Sequence, residues 1–155
     1  MWLRQNVFRL LMPVCASWAI LTLFTGELFE WIPEARRESI EAVVIAAIGS
    51  VCALATWLVC RRWPGFLVLP PAVPVGFLVV RTVAYASILL VAIAALFAAI
   101  EYVNLRLTGD RDNPQYGVSV VFAAIWYPAA LAPILTLLAV WWAAKKRAPA
   151  HPCIE

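Results

Sequence analysis

In 155 residues the chain carries 65% hydrophobic and only 14% charged side chains, with a formal net charge of +3. A water-soluble domain of this length exposes too much surface to hide so many apolar residues. The composition therefore excludes a soluble globular fold and reads as a single integral membrane domain.

The first element opens as MWLRQNVFRLLMPVCASWA, basic residues ahead of an apolar run, as a secretory signal does. The run continues to about Phe24, long enough to span, and Leu11-Met12-Pro13-Val14-Cys15 has Val14 where a lipoprotein cleavage box wants a small residue. We expect a retained transmembrane helix over about 7–26, uncharged after Arg9. The loop that follows, 27–41, holds Glu27, Glu30, Glu34, Glu38 and Glu41, which would form one stripe on a continuous helix. Pro33 interrupts that helix but suits the first position of a new one, with Glu34 in a first turn whose dipole favours a carboxylate. Arg37 and Glu41 stand one turn apart. The loop reads as a solvated helix extension or as an acidic docking face formed by Glu27, Glu30, Glu34 and Glu38.

Span two, about 42–60, ends at Arg61 and Arg62 and carries small residues at helix-packing spacing: Ala42, Ala46, Ser50 and Ala53. Then comes FLVLPPAVPVGFLVVR, in which no side chain from Phe66 to Val80 is polar and three are proline. Such a stretch is too broken for a plain span and lacks the polar face of an interfacial helix. We expect an apolar, proline-shaped insert at the inner face within the loop 61–81. It either dips into the leaflet and returns, lies in a protein groove, or starts span three near Gly76, with Arg81 reaching the headgroups. Pro70, Pro71 and Pro74 are its candidate partner contacts.

Span three covers about 82–100, with Ala84, Ala95 and Ala99 as further small residues. The outer loop 101–117 contains Asp110, Asp112 and Asn113, which begin like a calcium loop but lack its glycine and closing glutamate at the required offsets. Span four, about 118–144, includes Pro128 and Pro133, which should bend it, and leads to the tail 145–155.

The charges orient these spans. With both termini inside, Arg4, Arg9, Arg61, Arg62, Arg81, Lys145, Lys146 and Arg147 lie on the cytoplasmic side against Glu155 alone. Arg36, Arg37, Arg106 and Arg111 lie outside with the other acids, so the arrangement obeys the positive-inside rule. A fifth span at 66–80 would put the Lys145–Arg147 run outside. The expected fold is thus an all-α membrane protein, a four transmembrane helix bundle, N-in and C-in. Trp2, Trp31, Trp57, Trp63, Trp141 and Trp142 fall near interfaces, whereas Trp18 and Trp126 lie deeper and read as packing residues.

The chemistry-bearing residues exclude more than they support. No Asp, Glu, His or Lys lies near the middle of a span, which disfavours proton-coupled transport. His151 is the single histidine, so the spans hold neither a bis-histidine haem site nor a histidine metal cluster. Cys15, Cys52, Cys60 and Cys153 form no CxxC pair; Cys15 and Cys52 fall at a similar depth and read as packing residues. Walker, GxSxG, HExxH and dinucleotide motifs are absent. No catalytic residue, cofactor or metal is expected. Arg61, Arg62, Arg81, Lys145, Lys146 and Arg147 are assigned to anionic lipid headgroups rather than to nucleic acid.

The expected function is non-enzymatic: a multi-pass protein of the inner (plasma) membrane, serving as an accessory or assembly subunit or as an immunity-type partner of another membrane protein. Its partners are then the bilayer and another membrane protein, or a second copy. Two rivals are an oligomeric channel or facilitator lined by span four, and a membrane enzyme using outer carboxylates such as Glu27, Glu30 and Glu101.

Overall fold

A computed structural model describes residues 2–30, 37–108 and 116–147, with side chains placed over 2–24, 40–108 and 117–147. Four helices account for nearly all of them: α1 (Trp2–Glu30), α2 (Arg37–Arg62), α3 (Val75–Thr108) and α4 (Tyr116–Arg147). Each contains a window long and apolar enough to cross a membrane. Helices are the form such sequences take in lipid, because only there does every backbone N–H and C=O find a partner within the segment. On α3, Arg81 and Glu101 bracket the uncharged stretch. The nineteen residues between them correspond to about 30 Å of helix from one charge to the other, the thickness of the hydrocarbon core.

The helices pack as a row. α1 touches α2 and α4, α4 touches α1 and α3, and no other helix pair makes contact among the described residues. The order across the row is therefore α2, α1, α4, α3, with two helices lying between elements that are consecutive in the chain. Residues 63–74 join α2 to α3 without forming helix. At 8–10 Å per neighbouring pair, three spacings come to about 24–30 Å. Twelve extended residues reach about 40 Å, so the connection is long enough to pass across the ends of α1 and α4.

Two tryptophans fasten the middle pair. Pro133 has no amide hydrogen for the carbonyl of Ala129 one turn earlier, and the Trp18 indole N–H donates to that carbonyl at 3.0 Å. The Trp126 indole donates in the other direction, to the Thr22 carbonyl at 2.5 Å. The pairing of 18 with 129 and 22 with 126 is the register of antiparallel neighbours. Both rings remain substantially exposed, 54% for Trp18 and 37% for Trp126, so they act as cross-links as well as packing surfaces. Interhelical bonds of this kind contribute about 0.6 kcal/mol on average in lipid, and up to about 1.7. α4 runs helically through both of its prolines, as α1 does through Pro13.

Candidate functional site

The largest fully buried side chains, Leu67, Leu69 and Val140, do not lie midway along the helices. They gather where α1 begins, α2 ends, α3 begins and α4 ends: Phe8, Leu67, Leu69, Val73, Val140 and Ala144 form one cluster. Three of its six members come from the connection 63–74, which lies as a strap against α1 and α4. Phe66 meets the Trp141 ring edge-on at 5.0 Å.

A non-helical segment leaves backbone groups without ladder partners, and the sequence answers this in two ways. Pro64, Pro70, Pro71 and Pro74 carry no amide hydrogen, so four of the twelve donors are absent. Of the remaining amides, Trp63, Phe66 and Val73 bond to nearby carbonyls, and Leu69 N–H reaches the Gln5 carbonyl of α1 at 2.9 Å. The strap's acceptors are met by arginines. Arg9 donates through Nε to the Phe66 carbonyl at 2.9 Å and through Nη2 to the Pro64 carbonyl. Arg4 donates to the Val73 carbonyl. Asn6 Oδ1 accepts from Arg9 Nη1 at 3.2 Å and so steadies the guanidinium fork. Leu67 adopts φ 57°, a left-handed conformation that costs a leucine about 1–2 kcal/mol.

Around the strap stands a ring of cations, each against an aromatic face. Arg61 lies 5.4 Å from the Trp57 ring, Lys145 5.6 Å from Trp141 and Lys146 3.5 Å from Trp142. Arg147 from α4 and Arg81 from α3 share the Phe77 ring, at 4.4 Å and 5.5 Å. These two also border a cavity of about 490 Å³ with Pro74, Phe77 and Val80. All six predicted headgroup cations are exposed and belong to the same end of the row.

The predicted partner contacts are spread over both ends. Pro71 and Pro74 are exposed on the strap and Pro70 is half-buried. Glu27, Glu30 and Glu38 lie on helix backbone at the opposite end, but their side chains, and Glu34 entirely, lie outside the described residues. Ala42, Ala46, Ser50 and Ala53 are all exposed, and Ala53 borders a groove that α2 shares with Asn6, Leu10 and Pro13 of α1. The side of α2 with buried Cys52 and half-buried Ile48 and Thr56 meets α1, where Gly49 comes close to Ser17. Of the alanines on α3, Ala84 is half-buried and Ala95 and Ala99 are exposed.

Sequence reasoning counted Arg4 and Arg9 only as charges that set orientation. Their role as donors to the strap went unread. The available signal was the pairing of basic residues lacking a nearby acid with a proline-rich segment whose carbonyls have no amide partners.

No protein-family model matches this chain, and no curated protein or solved structure matches it either.

Proposed function

We propose that the chain is a non-enzymatic subunit of the plasma membrane, with both termini cytoplasmic, that binds another membrane protein as an accessory, assembly or immunity-type partner. The observation that carries this reading is the side of α2 turned from α1: Ala42, Ala46 and Ser50 are exposed, on a helix that packs against one other helix among the described residues. Lipid offers no hydrophobic drive for association, so close backbone approach over small residues is what holds membrane helices together. Leucines on that surface would keep a partner helix at a distance.

The test is purification of the full chain in mild detergent, with co-purifying proteins identified by mass spectrometry. A stoichiometric membrane protein should accompany the wild type and be lost from the double variant Ala46→Leu, Ser50→Leu, whose thermal unfolding should be unchanged. A clean monomer or homodimer, or a partner that the double variant retains, overturns the reading.

The orientation rests on the gathering of Arg4, Arg9, Arg61, Arg62, Arg81, Lys145, Lys146 and Arg147 at one end of the row. Green fluorescent protein fused after Arg147 is expected to fluoresce, and alkaline phosphatase inserted between Thr108 and Tyr116 to be active. The reverse pattern would refute a cytoplasmic basic end.

A further inference from the structure

At the end of the row opposite the strap, α3 and α4 enclose a small groove of about 300 Å³. Its lining combines a carboxylate, hydroxyls and aromatic rings: Glu101, Ser119, Phe122, Trp126 and Tyr127. The stack of Phe97 on Tyr127, 4.1 Å between centroids, sets the register of the two helices. That register puts Glu101 level with Ala123, a buried residue whose small side chain leaves the space open. Glu101 lies seven residues before the end of α3 and Ala123 seven after the start of α4. Both place the groove about 10 Å inside the helix ends.

Glu101 is half-buried and makes no hydrogen bond or ion pair with any described residue. Arg106, the next described cation along α3, is turned to the Tyr102 hydroxyl instead, at 2.6 Å through Nη2. The hydroxyls of Ser119 and Tyr127 are likewise without partners among the described residues. A carboxylate set against an apolar helix face at the edge of the hydrocarbon, with no partner among the described residues, marks a place where something cationic is favoured.

The rings decide which kind of cation. Five of the seven lining residues are aromatic or aliphatic, and one carboxylate with two hydroxyls falls well short of the six to eight oxygens that calcium takes. Aromatic faces attract alkylammonium ions through their quadrupole while accepting the alkyl groups by contact. These rings are also fixed before any ligand arrives. Trp126 is tied to the Thr22 carbonyl, Phe122 stacks on Trp126 at 5.1 Å, and Tyr127 stacks on Phe97. Binding then immobilises little that was free.

We propose that this groove binds an organic ammonium ion, with the Glu101 carboxylate opposing its charge and Phe122, Trp126 and Tyr127 receiving its alkyl groups. The site lies between α3 and α4, apart from the side of α2 turned from α1, so it stands or falls independently of the partner reading.

The experiment uses the full chain in a maltoside detergent, free of choline headgroups, with choline as the probe and calorimetry as the readout. Saturable binding of choline is expected, with binding of its uncharged isostere 3,3-dimethylbutan-1-ol at least tenfold weaker. Glu101→Gln should weaken choline binding at least tenfold. Phe122→Leu, which keeps apolar bulk but removes the ring, should weaken it several-fold while leaving thermal unfolding in place. Absence of saturable binding, equal affinity for the two probes, or wild-type affinity in both variants would overturn the proposal.

Discussion

Methionine in place of Arg9 should lower the unfolding free energy by about 2–4 kcal/mol in a detergent or bicelle titration. The guanidinium holds two strap carbonyls at once, those of Phe66 and Pro64. Hydrogen bonds to a charged donor contribute about 1.5–3 kcal/mol each, and an acceptor left unmet under cover costs about 1–3 kcal/mol. The Pro64 contact is exposed, so water can replace it, and most of the loss falls on the Phe66 carbonyl. Lysine at position 9 keeps the charge but presents a point ammonium rather than a planar fork, so it should recover less than half of the loss. Arg62→Met is the control. Arg62 is exposed and bonds to no described residue, and its replacement should stay within about 0.5 kcal/mol. If Arg9→Met matches that control, the Arg9 hydrogen bonds contribute nothing to holding the strap.

The four helices were legible because each is an apolar run of about twenty residues in a chain whose charges cluster between runs. Their neighbours were not. A helix that is apolar all round has no stripe to say which side meets protein and which meets lipid. Nothing in residues 42–60 therefore shows that Cys52 faces α1 while Ala46 and Ser50 face away. The order α2, α1, α4, α3 is a fact of tertiary packing, although the twelve-residue apolar connection is in hindsight its trace. Trp18 and Trp126 were noticed by their depth and read as packing. Linking Trp18 to α4 requires seeing that Pro133 frees the Ala129 carbonyl four residues earlier, and which helix lies opposite. The groove at Glu101 was half visible: the carboxylate stands out in the sequence, but the rings that give it a ligand class come from a different helix.

The strap was the least legible part. Prolines and the lack of polar side chains say that residues 66–80 need cover, not which side chains supply it. Neither a period of two nor one of 3.6 runs through 63–74, so Leu67 and Leu69 could not be told from Val68 as the inward residues. The physical logic emerges only with the fold. A segment that must pass from one edge of the row to the other runs over the ends of two helices, and there it meets the N-terminal arginines of α1 and the last turns of α4.

Glycine at position 67 should be no less stable than alanine, reversing the usual order of the two. Leu67 is fully buried in the strap cluster, and truncating it to alanine should cost about 2–4 kcal/mol through lost contacts and a residual cavity. Alanine keeps a Cβ, and with it the penalty of a left-handed backbone at φ 57°. Glycine removes one further methyl group but also removes that penalty, about 1–2 kcal/mol, which offsets the roughly 0.5–1 kcal/mol that its unfolded-state freedom ordinarily costs. Leu69 supplies the comparison. It is as deeply buried, at 2% exposure, and is not among the positive-φ residues. There glycine should be worse than alanine by about 0.5–1 kcal/mol. Equilibrium unfolding of the four variants decides the matter. The same alanine-over-glycine gap at both positions would mean that the left-handed turn at Leu67 carries no cost. A gap that closes or inverts only at 67 would mean that packing of the leucine side chain holds the strap in a conformation its backbone disfavours.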